Sequence, residues 1–128
     1  MCGVLLNFCY LYIRILCMKK SYIKGFLEDL VLHLINEQGE SYGYELCKLA
    51  QEKTNGIVQI KEGVLYPVLH KLESNGLLVS EFKEAQGRMR KYYKLAPGSG
   101  QVVKTNFQEA AEYVAALQRI FNPNPETA

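Results

Sequence analysis

The hydrophobic period of this chain changes once, from helical to strand-like, between Glu62 and Leu95, and that change restricts the fold more than any other feature. From about Glu62 to Asn75, the residues Leu65, Val68, Leu69 and Leu72 recur at i, i+3, i+4 and i+7, the stripe of an amphipathic helix. Asn75-Gly76 closes it. Beyond that break the pattern alternates: Leu78, Ser80 and Phe82 against Val79, Glu81 and Lys83. A turn at Glu84-Ala85-Gln86-Gly87 leads to a second strand, about Arg88 to Leu95. Tyr93 and Leu95 fall on one of its faces, and Arg90, Tyr92 and Lys94 on the other. Gly87 can supply the positive φ of a hairpin turn. Pro67 lacks an N–H and costs about 3 kcal/mol in a helix interior, so the helix is expected to start near Gly63 or Val64.

Upstream, Leu27, Leu30, Val31, Leu34 and Ile35 mark a helix from about Ser21 to Glu37, stopped by Gly39. Ser41 is the expected N-cap of a second helix, about Tyr42 to Lys53, with Leu46, Leu49 and Ala50 inward. Thr54-Asn55-Gly56 ends it, and only Ile57 to Lys61 separates it from the third helix. After the hairpin, Pro97-Gly98-Ser99-Gly100 breaks the chain before a last helix from about Gln101 to Phe121. The fold class is therefore mainly α, of the α+β type: a winged helix-turn-helix with a two-stranded β-hairpin wing and a C-terminal dimerisation helix. Residues 18–96 form the helix-turn-helix domain, 97–121 the dimerisation helix and 122–128 a tail.

Residues 1–17, MCGVLLNFCYLYIRILC, differ sharply from the rest of the chain and hold three of the four cysteines. A secretory signal would need a positive n-region and a small-residue cleavage site, which are missing. A membrane anchor would need about 20 apolar residues, and Arg14 interrupts this shorter run. The preferred reading is a mis-assigned start with Met18 as initiator, leaving Cys47 as the one cysteine of a cytoplasmic protein with no membrane partner.

The whole chain of 128 residues is 48% hydrophobic and 22% charged, which excludes a disordered polypeptide. Its net charge of +2 says little, but the charge is unevenly placed. Residues 83–94 carry Lys83, Arg88, Arg90, Lys91 and Lys94 against Glu84 alone. No CxxC pair, phosphate-binding glycine loop or nucleophile–base–acid set occurs. Neither a catalytic site, a metal site nor a cofactor is expected, and His33 and His70 are read as structural first.

A short connector between the second and third helices suits a helix-turn-helix, whose third helix enters the major groove near its N-terminus. With the apolar stripe turned inward, Lys61, Glu62, Val64, Tyr66, His70 and Lys71 face out. The expected contacts to double-stranded DNA are Lys61, Val64, Tyr66, His70 and Lys71 from the helix and Arg88, Arg90 and Lys91 from the wing. Val64 suits a thymine methyl, and the wing cations suit phosphates. Tyr66 is equally readable as a packing residue. In the last helix Val103, Phe107, Ala110, Val114, Leu117 and Phe121 recur at spacings of four and three, the seam of a coiled coil. That seam suits a homodimer, and the alternative is packing on the chain's own first helix. A winged-helix protein–protein adaptor that does not bind DNA is the alternative function.

The run GVLYPVLHKLESNGLL followed by GRMRKYYKL resembles the PadR family of transcriptional regulators, as do the upstream GFLEDLVLHLI and SYGYEL. The likeness spans about residues 22–121. It implies a homodimeric repressor that dimerises through its C-terminal helix and often responds to a small-molecule effector. By position it assigns DNA contacts to Tyr66 and its helix neighbours and to the wing at Gly87–Lys91. A single C-terminal helix suggests the family's shorter form. Val64 stands where threonine is common, and there is no tryptophan to stack on an aromatic effector. Phe107, Tyr113 and Phe121 are the candidate lining of an effector pocket between subunits.

Overall fold

The computed structural model describes residues 22–122, so the expectations for residues 1–17 and for the tail beyond Asn122 lie outside the described residues. A 3-10 turn, Tyr22–Gly25, leads into helix α1, Leu27–Gln38. Strand β1, Ser41–Tyr42, runs directly into α2, Gly43–Lys53, and α3 spans Glu62–Ser74. Strands β2, Leu78–Ala85, and β3, Arg88–Leu95, form the hairpin, and α4 spans Gly100–Phe121.

The expected order of elements is present, with one addition. The sheet has three strands in the order β1-β3-β2, because Ser41 and Tyr42 pair antiparallel with Tyr93 and Tyr92. Ser41 is therefore a strand residue and not the N-cap. Tyr42 takes the N-cap position without a side-chain bond, and the Ser41 hydroxyl donates to Glu45 Oε2 at 2.6 Å. Two residues are too few to show a period of two, so the sequence offers no strand signal here.

The hairpin loop is also tighter than expected. Ala85 pairs with Arg88, leaving only Gln86 and Gly87 in the loop, at φ 53° and 75°. Two successive positive φ values fit a type I′ turn, whose twist matches that of the strands. The wing is therefore paired to its tip.

The core lies where α1, α2, α3 and the inner face of the sheet meet. Val31 and Ile35 of α1, Leu46 of α2, Leu65 and Leu69 of α3, and Tyr93 of β3 are each at most 1% exposed. Helix α3 begins at Glu62, slightly before the start expected from Pro67. Pro67 forfeits the single bond its N–H would have made to Gly63, and the face that carries it is exposed.

Helix α4 joins this core at one end. Val103 is 1% exposed among the core residues, and Phe107 packs against them with its ring edge-on to His33 at 4.6 Å. Tyr113 reaches Phe26 at 5.8 Å. Val103, expected on a seam between subunits, is instead sealed inside its own chain. An apolar helical stripe specifies a buried face but not whose surface covers it. The far end of α4 is bare: Val114 is 44% exposed, Ile120 73% and Phe121 82%. Among the described residues no helix is long and apolar enough to cross a membrane.

Candidate nucleic-acid interface

The candidate site grows from the junction of α2, α3 and the wing. Helix α3 buries Leu65, Leu69 and Leu72 and leaves Lys61, Val64, Tyr66, His70 and Lys71 exposed, as the periodicity requires. These residues do not form one uniform surface. Tyr66 leans toward the N-terminus of α2, where a Cβ on Gly43 would stand only 3.0 Å from its hydroxyl oxygen. Gly43 is buried, and its missing side chain is what lets the Tyr66 ring approach. Tyr66 is still 43% exposed, so it both packs and presents an edge outward. Partial burial pushes its phenol above the ordinary value, with the nearby Glu62 carboxylate adding to the effect. Burial likewise raises the neighbouring Cys47 thiol, again with help from Glu62, which keeps it in the unreactive thiol form.

Lys71 sits on another side of α3 and ion-pairs with Glu28 of α1. Lys61 and His70 have no ion-pair partner among the described residues, and Val64 is 49% exposed in the first turn, three residues after Lys61. The N-terminal half of the helix is thus left to Lys61, Val64 and Tyr66. Glu62 is the acidic residue in that first turn.

The two faces of the wing carry different chemistry. On the outer face the Arg90 guanidinium lies 4.5 Å from the centroid of Tyr42, whose ring meets Tyr92 edge-on at 5.2 Å. Lys83 continues the row, 5.5 Å from the Tyr92 centroid, and is clamped by Glu40 at 2.6 Å and Glu81 at 3.1 Å. The hydrogen bond to Glu40, followed by that to Glu81, raises the Lys83 ammonium above its usual value and holds it charged. Stacking fixes the Arg90 guanidinium while leaving its Nε buried and without a hydrogen-bond partner.

On the inner face Lys91 turns back to Glu73 of α3, 3.7 Å away, and lies 5.4 Å from the Tyr93 centroid. Arg88, at the tip, is exposed and has no ion-pair partner among the described residues. By sequence Arg88, Arg90 and Lys91 are equivalent cations. The structure separates them into a free one, a stacked one and a neutralised one. The carboxylates that pair with Lys71, Lys83 and Lys91, namely Glu28, Glu40 and Glu73, are distant in sequence from those lysines, and no spacing rule would have found them.

Among the described residues no group of histidine, cysteine, aspartate and glutamate is arranged to hold a metal ion. The cations, a tyrosine and an exposed valine around a helix end can bind a polyanion and touch base edges. They form no acid–base pair.

Residues 31–104 match the transcriptional regulator PadR-like family. The chain is 40% identical over 67 residues to the Transcriptional regulator Rv3488 of Mycobacterium tuberculosis, a match covering 52% of this chain and 62% of that relative. Among solved structures, a transcriptional regulator from Clostridium thermocellum superposes with a TM-score of 0.63 at 32% identity, over 80% of this chain and 93% of that one. A PadR family transcriptional regulator from Eggerthella lenta gives a TM-score of 0.62 at 25% identity, over 95% and 96% of the two chains. The family is one of transcriptional regulators and not of enzymes. Carrying the family match over more than half its length, with the winged helix-turn-helix fold beneath it, the chain belongs to the PadR-like family of transcriptional regulators.

Proposed function

We propose that this protein is a sequence-specific DNA-binding repressor that acts as a homodimer on a pseudo-palindromic operator. The observation that carries this reading is the junction of α3 with the wing. The exposed N-terminal half of α3 (Lys61, Val64, Tyr66) is tied through Tyr66 to the N-terminus of α2, Arg90 of the wing is near enough to act on the Tyr66 phenol, and the wing tip holds the unpaired Arg88. In the proposal α3 enters the major groove, with Val64 against a thymine methyl and Lys61 on the backbone. Arg88 and the stacked Arg90 bind phosphates flanking that groove. Lys91 contributes once it leaves Glu73. Lys71, paired with Glu28, and His70 lie further along the helix and are the outer members of the set.

The bare end of α4 supports the dimer. Val114, Ile120 and Phe121 are exposed on a helix that cannot cover them itself. Two such ends packed together, centred on Val114, Leu117 and Phe121 with Ala110 at the margin, would bring two α3 helices to half-sites about 34–36 Å apart or a multiple of that. Phe107 and Tyr113 are already engaged with His33 and Phe26. A small-molecule effector between subunits would therefore use the Phe121 end.

Selection of bound fragments from the source genome tests the proposal. Enrichment of sites with two-fold symmetry, upstream of genes whose transcription rises when the protein is removed, is the expected result. Recovery of fragments with no shared sequence would overturn it and favour the adaptor reading.

A further inference from the structure

Phe82 and Met89 are 67% and 66% exposed, on a wing whose other large apolar side chains are covered or stacked. The register puts them on one face: Phe82 pairs with Lys91 and Glu84 with Met89, so the two are diagonal neighbours across the hairpin. That face is the inner one, which carries Leu78 and Tyr93 into the core and sends Lys91 to Glu73 of α3. Phe82 and Met89 therefore lie on the side of the wing turned toward α3, past the point where the core ends. The Lys91 ammonium is 6.0 Å from the Phe82 centroid, and Arg88 flanks Met89 in sequence.

We propose that Phe82 and Met89 are an apolar wedge that packs against the wall of the DNA minor groove next to the α3 site and favours a deformable base step there. This rests on the DNA-binding reading above. Three observations favour DNA as the occupant. The patch reaches α3 through Lys91, which lies 6.0 Å from the Phe82 centroid and 3.7 Å from Glu73. Lys91 shares its face, Glu84 stands across from Met89, and the opposite face of the same thin hairpin carries Arg88 and Arg90, cations that suit a polyanion wrapped around the tip. The patch also comprises two side chains, far less than the roughly 800 Å² per partner that a stable protein interface buries. Apolar side chains pressed between or against base steps open them and bend the duplex, at least cost at pyrimidine–purine steps. Specificity would then arise at positions where no base edge is hydrogen-bonded.

The test uses the full chain and a genomic fragment obtained by selection for binding, with Phe82→Ser/Met89→Ser compared with Arg88→Ala across a salt series. Apolar contacts release no counterions. The double variant should bind roughly tenfold more weakly at every salt concentration, with the log–log salt slope unchanged. Arg88→Ala should flatten that slope by about 0.9. Bending of an end-labelled duplex, read by energy transfer, should fall in the double variant only. Circular dichroism melts confirm that each variant is folded, and Phe82→Leu/Met89→Leu, which keeps the patch apolar, should recover most of the affinity. Wild-type affinity and bending in the serine variant would overturn the wedge. So would a loss of dimer by light scattering at unchanged DNA contact, which would assign the patch to a second copy. If wild-type protein binds no DNA, the underlying reading fails, and that outcome is separate.

Discussion

Replacing Gly43 by alanine isolates the contact that joins the two helices of the motif. Gly43 has no left-handed φ, so alanine suits the backbone, but at the first residue of α2 it should gain at most about 0.5 kcal/mol, the low end of the helix-interior preference. Against that, its Cβ would meet the Tyr66 hydroxyl oxygen at 3.0 Å, Cζ at 3.1 Å and Cε1 at 3.2 Å. Ordinary carbon contacts are about 3.5–4.0 Å, so the ring must swing outward, and such overpacking costs about 1–3 kcal/mol. Because Tyr66 is partly exposed, the lower end of that range applies, and the single variant should be about 0.5–1 kcal/mol less stable. In a Tyr66→Ala background the clash vanishes and the same change should be neutral or stabilise by up to about 0.5 kcal/mol. A double-mutant cycle in urea, at fixed protein concentration, should therefore show a coupling of about 1 kcal/mol. The displaced ring should also weaken DNA binding in Gly43→Ala without altering the dimer. Equal stabilisation by alanine in both backgrounds would refute the claim that Tyr66 is seated on Gly43.

Other parts of the molecule give further expected outcomes. Val103→Ala should cost about 2 kcal/mol in unfolding measurements, since two buried methyl-sized groups are lost, whereas Phe121→Ser should leave subunit stability unchanged and weaken self-association by light scattering. Glu73→Gln frees Lys91 and should strengthen non-specific DNA binding, steepening the salt slope by up to about 0.9; an unchanged slope would mean that Lys91 stays off the DNA. The Lys53 ammonium, hydrogen-bonded to Glu37 and assisted by His33, holds that carboxyl below the ordinary range. Because the folded-state value is the depressed one, the stabilisation is present above the unfolded value and is lost as pH falls through the folded one. NMR titration should place Glu37 below an unpaired glutamate, and Lys53→Ala should move it back up.

The sequence made the helical and hairpin parts legible because their apolar residues keep a period. The α3 stripe and the alternation along Arg88–Leu95 each repeat often enough to fix which face is buried, and Tyr93 and Leu65 sit where that reasoning puts them. Strand β1 escaped because Ser41 and Tyr42 are too short a run to alternate. The fate of Val103 escaped for a different reason: a seam of four and three says that one side of α4 is covered, and the chain's own α1 reaches its first half before a partner can. At the candidate interface the cations were visible but not their state. Pairing of Lys71 with Glu28 and of Lys91 with Glu73, and stacking of Arg90 on Tyr42, depend on tertiary proximity. Tyr66 was readable as a packing or a contact residue, and its geometry against Gly43 supports both roles at once.

The most direct test of DNA binding through α3 and the wing is fluorescence anisotropy of a selected genomic fragment at physiological salt, with wild-type protein and with Arg88, Arg90 and Lys91 all changed to alanine. The triple variant is expected to lose binding while light scattering reports the same dimer as wild type. Wild-type affinity in the triple variant would contradict DNA binding through the wing.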